Sequence, residues 1–328
     1  EQALRADPDN AKMLANLGAA LLVLGRIDPA IAALERAADV APETPELLNN
    51  LGSAYRQANR LDDAVSASRR AVAVFPGESA AHGNLASALL ASGRQDDALE
   101  AAERAFALSP SDADVQNTLG SALIACQRLD EAIALLERTV SRAPGFVEAA
   151  RNLALALQDF RRYEEAAARY AVIVERWPED SGAWAGLGRT RRLQGRLSDA
   201  VTACRKAVAL NPSRSNHLSN LLFCLIGSAD HDGPLLKEEH RLWGERFAPP
   251  VVRHDFSGDR NPDRRLRIGY VSPDFREHPV GRIIEPVLAN HESQSVEIFC
   301  YSNSLKTDRR GERIAASVDG FVPIAGLG

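Results

Sequence analysis

The chain has 328 residues, 45% of them hydrophobic and 25% charged, with a net charge of −5. Its length exceeds what one compact core normally organises, so a repeat array or several domains are expected. The mild acidity and the lack of a long basic stretch exclude nucleic acid as the expected partner, and no run approaches the ~18 apolar residues of a membrane span. The four cysteines, Cys126, Cys204, Cys224 and Cys300, are far apart and none has the paired spacing of a zinc site. They read as reduced thiols of a cytoplasmic protein with no metal and no cofactor of its own.

From the N-terminus the chain keeps one rhythm. Pro42, Pro76, Pro110, Pro144, Pro178 and Pro212 each follow the last by 34 residues, and Pro8 lies one period upstream. A period of that length marks a solenoid of helix–turn–helix units, each burying its apolar face against its neighbours. Six full repeats are in register: Ala11–Thr44, Pro45–Glu78, Ser79–Asp112, Ala113–Phe146, Val147–Asp180 and Ser181–Arg214. Residues 1–10 are then the tail of a repeat without its first helix, so Glu1 is not expected to be a natural start.

The seventh position of each repeat is leucine (Leu17, Leu51, Leu85, Leu119, Leu153, Leu187) and the eighth is small (Gly18, Gly52, Ala86, Gly120, Ala154, Gly188). The twentieth is always alanine, from Ala30 to Ala200. Large residues at seven fill the seam, and small ones at eight and twenty let the paired helices cross closely. The prolines follow the second helix, where it must stop. Over about two-thirds of the chain this is similar to the tetratricopeptide family, whose repeats wind into a right-handed superhelix.

The sixth position reads Asn16, Asn50, Asn84, Thr118, Asn152, Gly186 and then Asn220. First helices line the concave face of such solenoids, so these amides are expected to form a ladder that binds an extended peptide. An amide supplies the donor and the acceptor that a peptide backbone needs. The same asparagines could instead bond between repeats and set the superhelical pitch. Thr118 and Gly186 interrupt the ladder.

A seventh unit begins at Ser215–Gly227 and loses the pattern at the loop Asp230–Pro234. Residues 1–227 are therefore read as the repeat region, and 228–263 as a capping helix (Leu235–Phe247) followed by a proline-rich, charged linker. His231, His240 and His254 share no metal-ligand spacing. Residues 264–328 change character: strands at Leu266–Val271, Val296–Tyr301 and Phe321–Ile324 alternate with helices at Pro279–Asn290 and Arg309–Ser317. That alternation announces a parallel α/β sheet. Its open edge and apolar face mark it as incomplete, so the chain is expected to stop in mid-domain.

The string Arg264–Pro279, RRLRIGYVSPDFREHP, together with the repeats, the stretch His240–Phe247 and the strand Val296–Tyr301, resembles the O-linked N-acetylglucosamine transferase family, in its bacterial and plant-like style. The resemblance implies a tetratricopeptide superhelix joined to two Rossmann-like lobes, of which residues 264–328 are the truncated start of the first. It also implies metal-free transfer of N-acetylglucosamine from UDP-GlcNAc to serine or threonine hydroxyls of proteins. The family's active-site histidine corresponds to His278, placed near donor or acceptor, with Asp274 as its support. Animal members carry a second histidine four residues on, where this chain has Arg282.

The residues argue in the same direction. An imidazole at a strand's C-terminal end, beside a helix N-terminus, faces the crevice where α/β sheets bind ligands and is kept neutral by the helix dipole. A histidine that only caps the helix, and an Asp274 that only shapes the turn, would look the same. The donor-binding residues of the family lie in the second lobe, and no glycine-rich phosphate loop occurs here. The expected function is thus the N-terminal part of a protein O-GlcNAc transferase-like enzyme, inactive by itself; the alternative is a non-enzymatic interaction scaffold. A nicotinamide-dependent enzyme is excluded, because no glycine fingerprint follows the first strand.

Overall fold

The computed structural model describes residues 10–40, 44–227, 233–248, 261, 264–304 and 307–325. Expectations resting on Pro8, Pro42, His231, His254 and most of the linker lie outside the described residues. The chain divides into two compact units, Glu1–Pro249 and Pro250–Gly328.

The first unit is mainly α, a series of helix pairs. They are α1 Ala11–Val23 with α2 Ile27–Val40, α3 Pro45–Gln57 with α4 Leu61–Val74, and α5 Ser79–Ala91 with α6 Gln95–Leu108. There follow α7 Ala113–Ala125 with α8 Leu129–Arg142, α9 Val147–Asp159 with α10 Tyr163–Arg176, and α11 Ser181–Leu193 with α12 Leu197–Leu210. A last pair, α13 Ser215–Ile226 and α14 Gly233–Phe247, ends the unit. Several first helices open on a side chain that accepts first-turn N–H groups, as Asp180 does from Ala183 at 2.8 Å and Asn10 from Met13 at 3.0 Å.

Each of the first six pairs turns at the same backbone position, always left-handed. There Gly25, Gly93 and Gly195 have φ of 69°, 75° and 77°, and Asn59, Gln127 and Arg161 have φ of 60°, 60° and 67°. The next amide reaches back to the first helix, as Arg162 N does to Leu157 O at 2.8 Å, closing a Schellman turn. That next residue is arginine in all six repeats, and from Arg60 onward it pairs with an acid three residues on, as in Arg60–Asp63 at 2.7 Å and Arg162–Glu165 at 2.6 Å, whereas Pro29 stands at that place after Arg26. These pairs are exposed and contribute little stability.

The two helices of a repeat meet where the eighth position faces the twenty-fourth. A Cβ on Gly18 would lie 2.4 Å from Leu34, one on Gly120 2.7 Å from Leu136, and one on Gly188 2.4 Å from Cys204 Sγ. Leu34, Leu136 and Cys204 are fully buried, so none has room to yield. From Pro76 to Pro212 the expected post-helix prolines sit one residue beyond the cap, and their carbonyls find partners. Gln116 Nε2 donates to Pro110 O at 2.7 Å, and Trp184 Nε1 to Pro178 O at 2.9 Å. At the end of the array, Leu236, Trp243 and Phe247 of α14 pack on Val201, Leu218, Leu221 and Leu225.

The second unit is a three-stranded parallel sheet in the order β1 (Leu266–Ser272), β2 (Val296–Ser302), β3 (Gly320–Pro323). Helices α15 (Pro279–Ala289) and α16 (Arg309–Ala316) make the crossovers. Phe275, Leu288, Ile298, Cys300 and Ile314 form its core. The strands and helices fall within a residue or two of the ranges read from the sequence.

The packing yields a paired prediction. Gly120→Ala is expected to lower stability by about 1–2 kcal/mol, because overpacking against Leu136 outweighs the better helix propensity of alanine. Gly83→Ala, where an added Cβ meets nothing within 4 Å on α5, is expected to raise it by about 0.5–1 kcal/mol. Urea unfolding of the two variants checks both signs.

Candidate functional site

The ladder positions recur on successive first helices, but their side chains are not equivalent. Asn152 Nδ2 donates to Asn117 Oδ1 at 2.8 Å and to Ser121 Oγ at 2.9 Å, both on the preceding first helix. At this rung the amide binds repeat to repeat. Thr118 Oγ1 donates back to Asp114 O at 2.9 Å within its own helix. Asn16 is exposed, Asn50, Asn84 and Asn220 are half-buried, and none of these four side chains makes a hydrogen bond among the described residues.

The gap at Gly186 has a packing cause. A Cβ there would lie 2.4 Å from Cε1 and Cζ of Tyr170, a ring that is 4% exposed. Tyr170 occupies the twenty-fourth position of its repeat, where the matching eighth position is Ala154 rather than glycine, and its ring passes across the next first helix. An asparagine at 186 has no space. Burial pushes the Tyr170 hydroxyl up to about 12, so it stays neutral.

Two polar features were not singled out in the sequence. Asn117 and Ser121 at positions five and nine of the fourth repeat recur as Asn49 and Ser53 in the second, facing Asn84 by the same register. There the Asn49 Oδ1 is buried and has no hydrogen-bond partner. Reading positions five and nine alongside six would have found both sets. The other feature is a depression of about 370 Å³ along α9, α11 and α13, lined by Asn152, Gly186 and Asn220 together with Arg151, Arg189 and Arg214.

In the second unit His278 is the N-cap residue of α15, directly after the turn that follows β1. Its Nδ1 accepts from Val280 N at 3.3 Å. In the neutral ring the proton therefore sits on Nε2, which can donate a hydrogen bond but not abstract a proton. Asp274 Oδ2 lies 3.6 Å from Nδ1, outside hydrogen-bond range, and its other oxygen accepts from Arg276 Nη2 at 3.2 Å. The Asp274 amide is held by Ser272 Oγ at 3.0 Å, a turn contact at the end of β1. Arg282 is engaged with Glu277, Nε to Oε1 at 2.7 Å.

The array and the sheet define the class: a tetratricopeptide-repeat protein whose chain continues into a parallel α/β unit. Tetratricopeptide models match residues 9–77, 49–113, 89–157 and 151–215, and the model described as glycosyl transferase family 41 matches residues 251–327. The rice protein described as a probable UDP-N-acetylglucosamine–peptide N-acetylglucosaminyltransferase SPINDLY is 32% identical over 119 residues, which is 36% of this chain and 13% of that protein. The Caenorhabditis elegans UDP-N-acetylglucosamine–peptide N-acetylglucosaminyltransferase is 39% identical over 56 residues, 17% of this chain and 5% of that one. A mutant of the Thermobaculum terrenum O-GlcNAc transferase superposes with a TM-score of 0.55 at 27% identity, covering 66% of this chain and 42% of its own. The chain thus carries a tetratricopeptide region like that of an O-GlcNAc transferase, followed by a segment that matches the glycosyl transferase family 41 model. It matches only a small share of the length of its curated relatives. Among the described residues no helix is long and apolar enough to cross a membrane.

Two outcomes test the geometry. Asn152→Ala strands the polar groups of Asn117 and Ser121 and is expected to cost about 1–2 kcal/mol in urea unfolding, whereas Asn50→Ala is expected to be near neutral. His278→Ala removes the cap of α15 and is expected to cost about 1 kcal/mol, largely recovered in His278→Asn, in unfolding followed on the C-terminal unit.

Proposed function

We propose that the first helices of the array hold an extended polypeptide and present it for glycosyl transfer, with UDP-GlcNAc as donor and serine or threonine hydroxyls as acceptors. The observation that carries this reading is the union, in one chain, of free amides at the sixth position of successive repeats with a parallel α/β segment that matches a glycosyl transferase family 41 model. Asn16, Asn50, Asn84 and Asn220 bind the peptide backbone through paired donors and acceptors. Asn152 contributes by fixing the spacing between its repeat and the one before.

His278 takes part as a hydrogen-bond donor through Nε2, toward an oxygen of the acceptor or the donor sugar, rather than as a general base. Asp274 shapes the turn that delivers it. In the family this chain resembles, a second lobe holds the donor and transfer needs no metal, so residues 1–328 alone are expected not to turn over UDP-GlcNAc. The cytoplasm is its compartment, a reading supported by four cysteines that form no disulfide, Cys204 and Cys224 keeping a sulfur–sulfur distance of 3.8 Å.

The test uses the protein expressed from its complete reading frame, a library of acceptor proteins and a panel of labelled nucleotide sugars. Label from UDP-GlcNAc on serine or threonine is the expected result, and transfer of a different sugar would correct the donor. Absence of transfer from every donor, with peptide binding retained, would leave an interaction scaffold. For the groove, the triple variant Asn16→Ala, Asn50→Ala, Asn84→Ala is expected to weaken binding of an unstructured peptide by about tenfold, read by fluorescence anisotropy with helix content unchanged.

A further inference from the structure

The depression along α9, α11 and α13 differs from the rest of the ladder in charge. Its lining carries Arg151, Arg189 and Arg214 and no carboxylate. Arg151 is balanced: its Nη1 lies 3.2 Å from Asp180 Oδ1 and its Nη2 3.8 Å from Glu148. Arg189 is only partly engaged, its Nε donating to the neutral Gln158 Oε1 at 3.0 Å, with Asp159 as the nearby acid that feels its charge. Arg214 makes no ion pair and no side-chain hydrogen bond among the described residues.

The surroundings add to that excess. Arg214 is the N-cap residue of α13, a 12-residue helix with no capping side chain and no acid in its first turn. A cation there opposes the positive end of the helix dipole, which favours an anion. His217, on the same turn, is 3% exposed and held below its ordinary pKa by burial and by the Arg214 charge, so it supplies no further cation and no anion. The two guanidiniums line the depression with no ion-paired carboxylate among the described residues, which leaves them available to an anionic ligand. Arginine forks match a carboxylate in particular, and Asn216 and Asn220 beside them offer amides to a main chain.

We propose that this depression is an acid-selective subsite: Arg189 and Arg214 take the carboxylate of a glutamate or aspartate side chain in an extended polypeptide held by Asn216 and Asn220. The proposal rests on the reading of the first helices as a polypeptide-binding surface and adds to it a preferred sequence chemistry. Arg151, already paired, keeps α9 and α11 in register beneath the subsite. The closed rung at Asn152 and the Tyr170 ring in place of a rung at Gly186 leave side-chain chemistry, rather than a run of backbone amides, to define affinity here.

The test measures anisotropy of two short labelled peptides on the full chain. One carries three glutamates among serine, alanine and proline; the other has glutamine at those places. The glutamate peptide is expected to bind about fivefold or more tightly, with the advantage falling as salt is raised. Arg214→Ser and Arg189→Gln are each expected to bring the ratio of the two affinities close to one. Serine at 214 supplies a proper helix cap, so loss of fold cannot account for its effect. Arg69→Gln, on α4, is expected to keep the preference. Equal affinities for the two peptides in the unaltered protein would overturn the subsite while leaving a sequence-tolerant groove. A preference that survives both arginine substitutions would also overturn it. Binding of neither peptide would overturn the groove and the subsite together.

Discussion

Everything in the repeat array depends on how closely its paired helices approach. That distance is set where the eighth residue of a repeat meets the twenty-fourth. Leu34 sits against Gly18, Leu136 against Gly120 and Cys204 against Gly188, each so near that a single Cβ cannot be added without displacement. The contact holds the two helices as one rigid unit, and the left-handed turn between them leaves the chain little choice of direction. Neighbouring units then share a continuous apolar core, as the cluster running from Ala64 to Ala166 shows. With the helices so fixed, the sixth residues recur at equivalent places, and a ladder becomes geometrically available.

The same contact explains where the ladder fails. At Ala154 the small partner is no longer glycine, and the opposing residue is the large Tyr170. Its ring is displaced toward the next first helix, where only Gly186 leaves room for it. The break at Gly186 is a packing consequence of Tyr170, which belongs to the repeat before it. Beside it, Asn152 turns to Asn117 and Ser121, so two adjacent rungs serve the fold. The sixth-position amides that make no hydrogen bond among the described residues lie to either side, and Arg151, Arg189 and Arg214 line the depression at the later end. Core packing thus decides which sixth positions carry an unengaged amide.

In the second unit the organising element is the turn between β1 and α15. Phe275 anchors it in the core, Gly281 lets α15 pass close to the backbone of Asp274 and Arg276, and His278 caps the helix. Asp308 ties the turn to α16, accepting from Glu277 N at 2.6 Å while capping α16 through Gly311 N at 3.0 Å. Those backbone bonds hold the Asp308 carboxyl below its ordinary pKa. The imidazole is therefore presented at a strand end by a braced turn, with its ring orientation decided by a backbone hydrogen bond rather than by Asp274.

Much of this was legible in the sequence. The proline period, the leucines at seven and the small residues at eight are one-dimensional traces of a repeated contact, and a repeat of fixed length fixes its own register. Strand and helix ranges after residue 264 were legible because their hydrophobic patterns change period. Which asparagines are free was not, because Asn152 and Asn50 carry the same side chain at the same position. Their difference lies in Asn117 and Ser121 against Ala15 and Ala19 one repeat earlier, partners brought near only by stacking. Likewise Asp274 and His278 stand at a spacing that permits a contact, yet the turn leaves 3.6 Å between them and gives the ring nitrogen to Val280. The sequence by itself determined the repeat, the order of elements and the places where chemistry is concentrated, since these follow from local pattern. The tertiary structure decided which polar groups are spent on the fold and which are left for a ligand, since a hydrogen bond between repeats depends on neighbours 31 or 35 residues away.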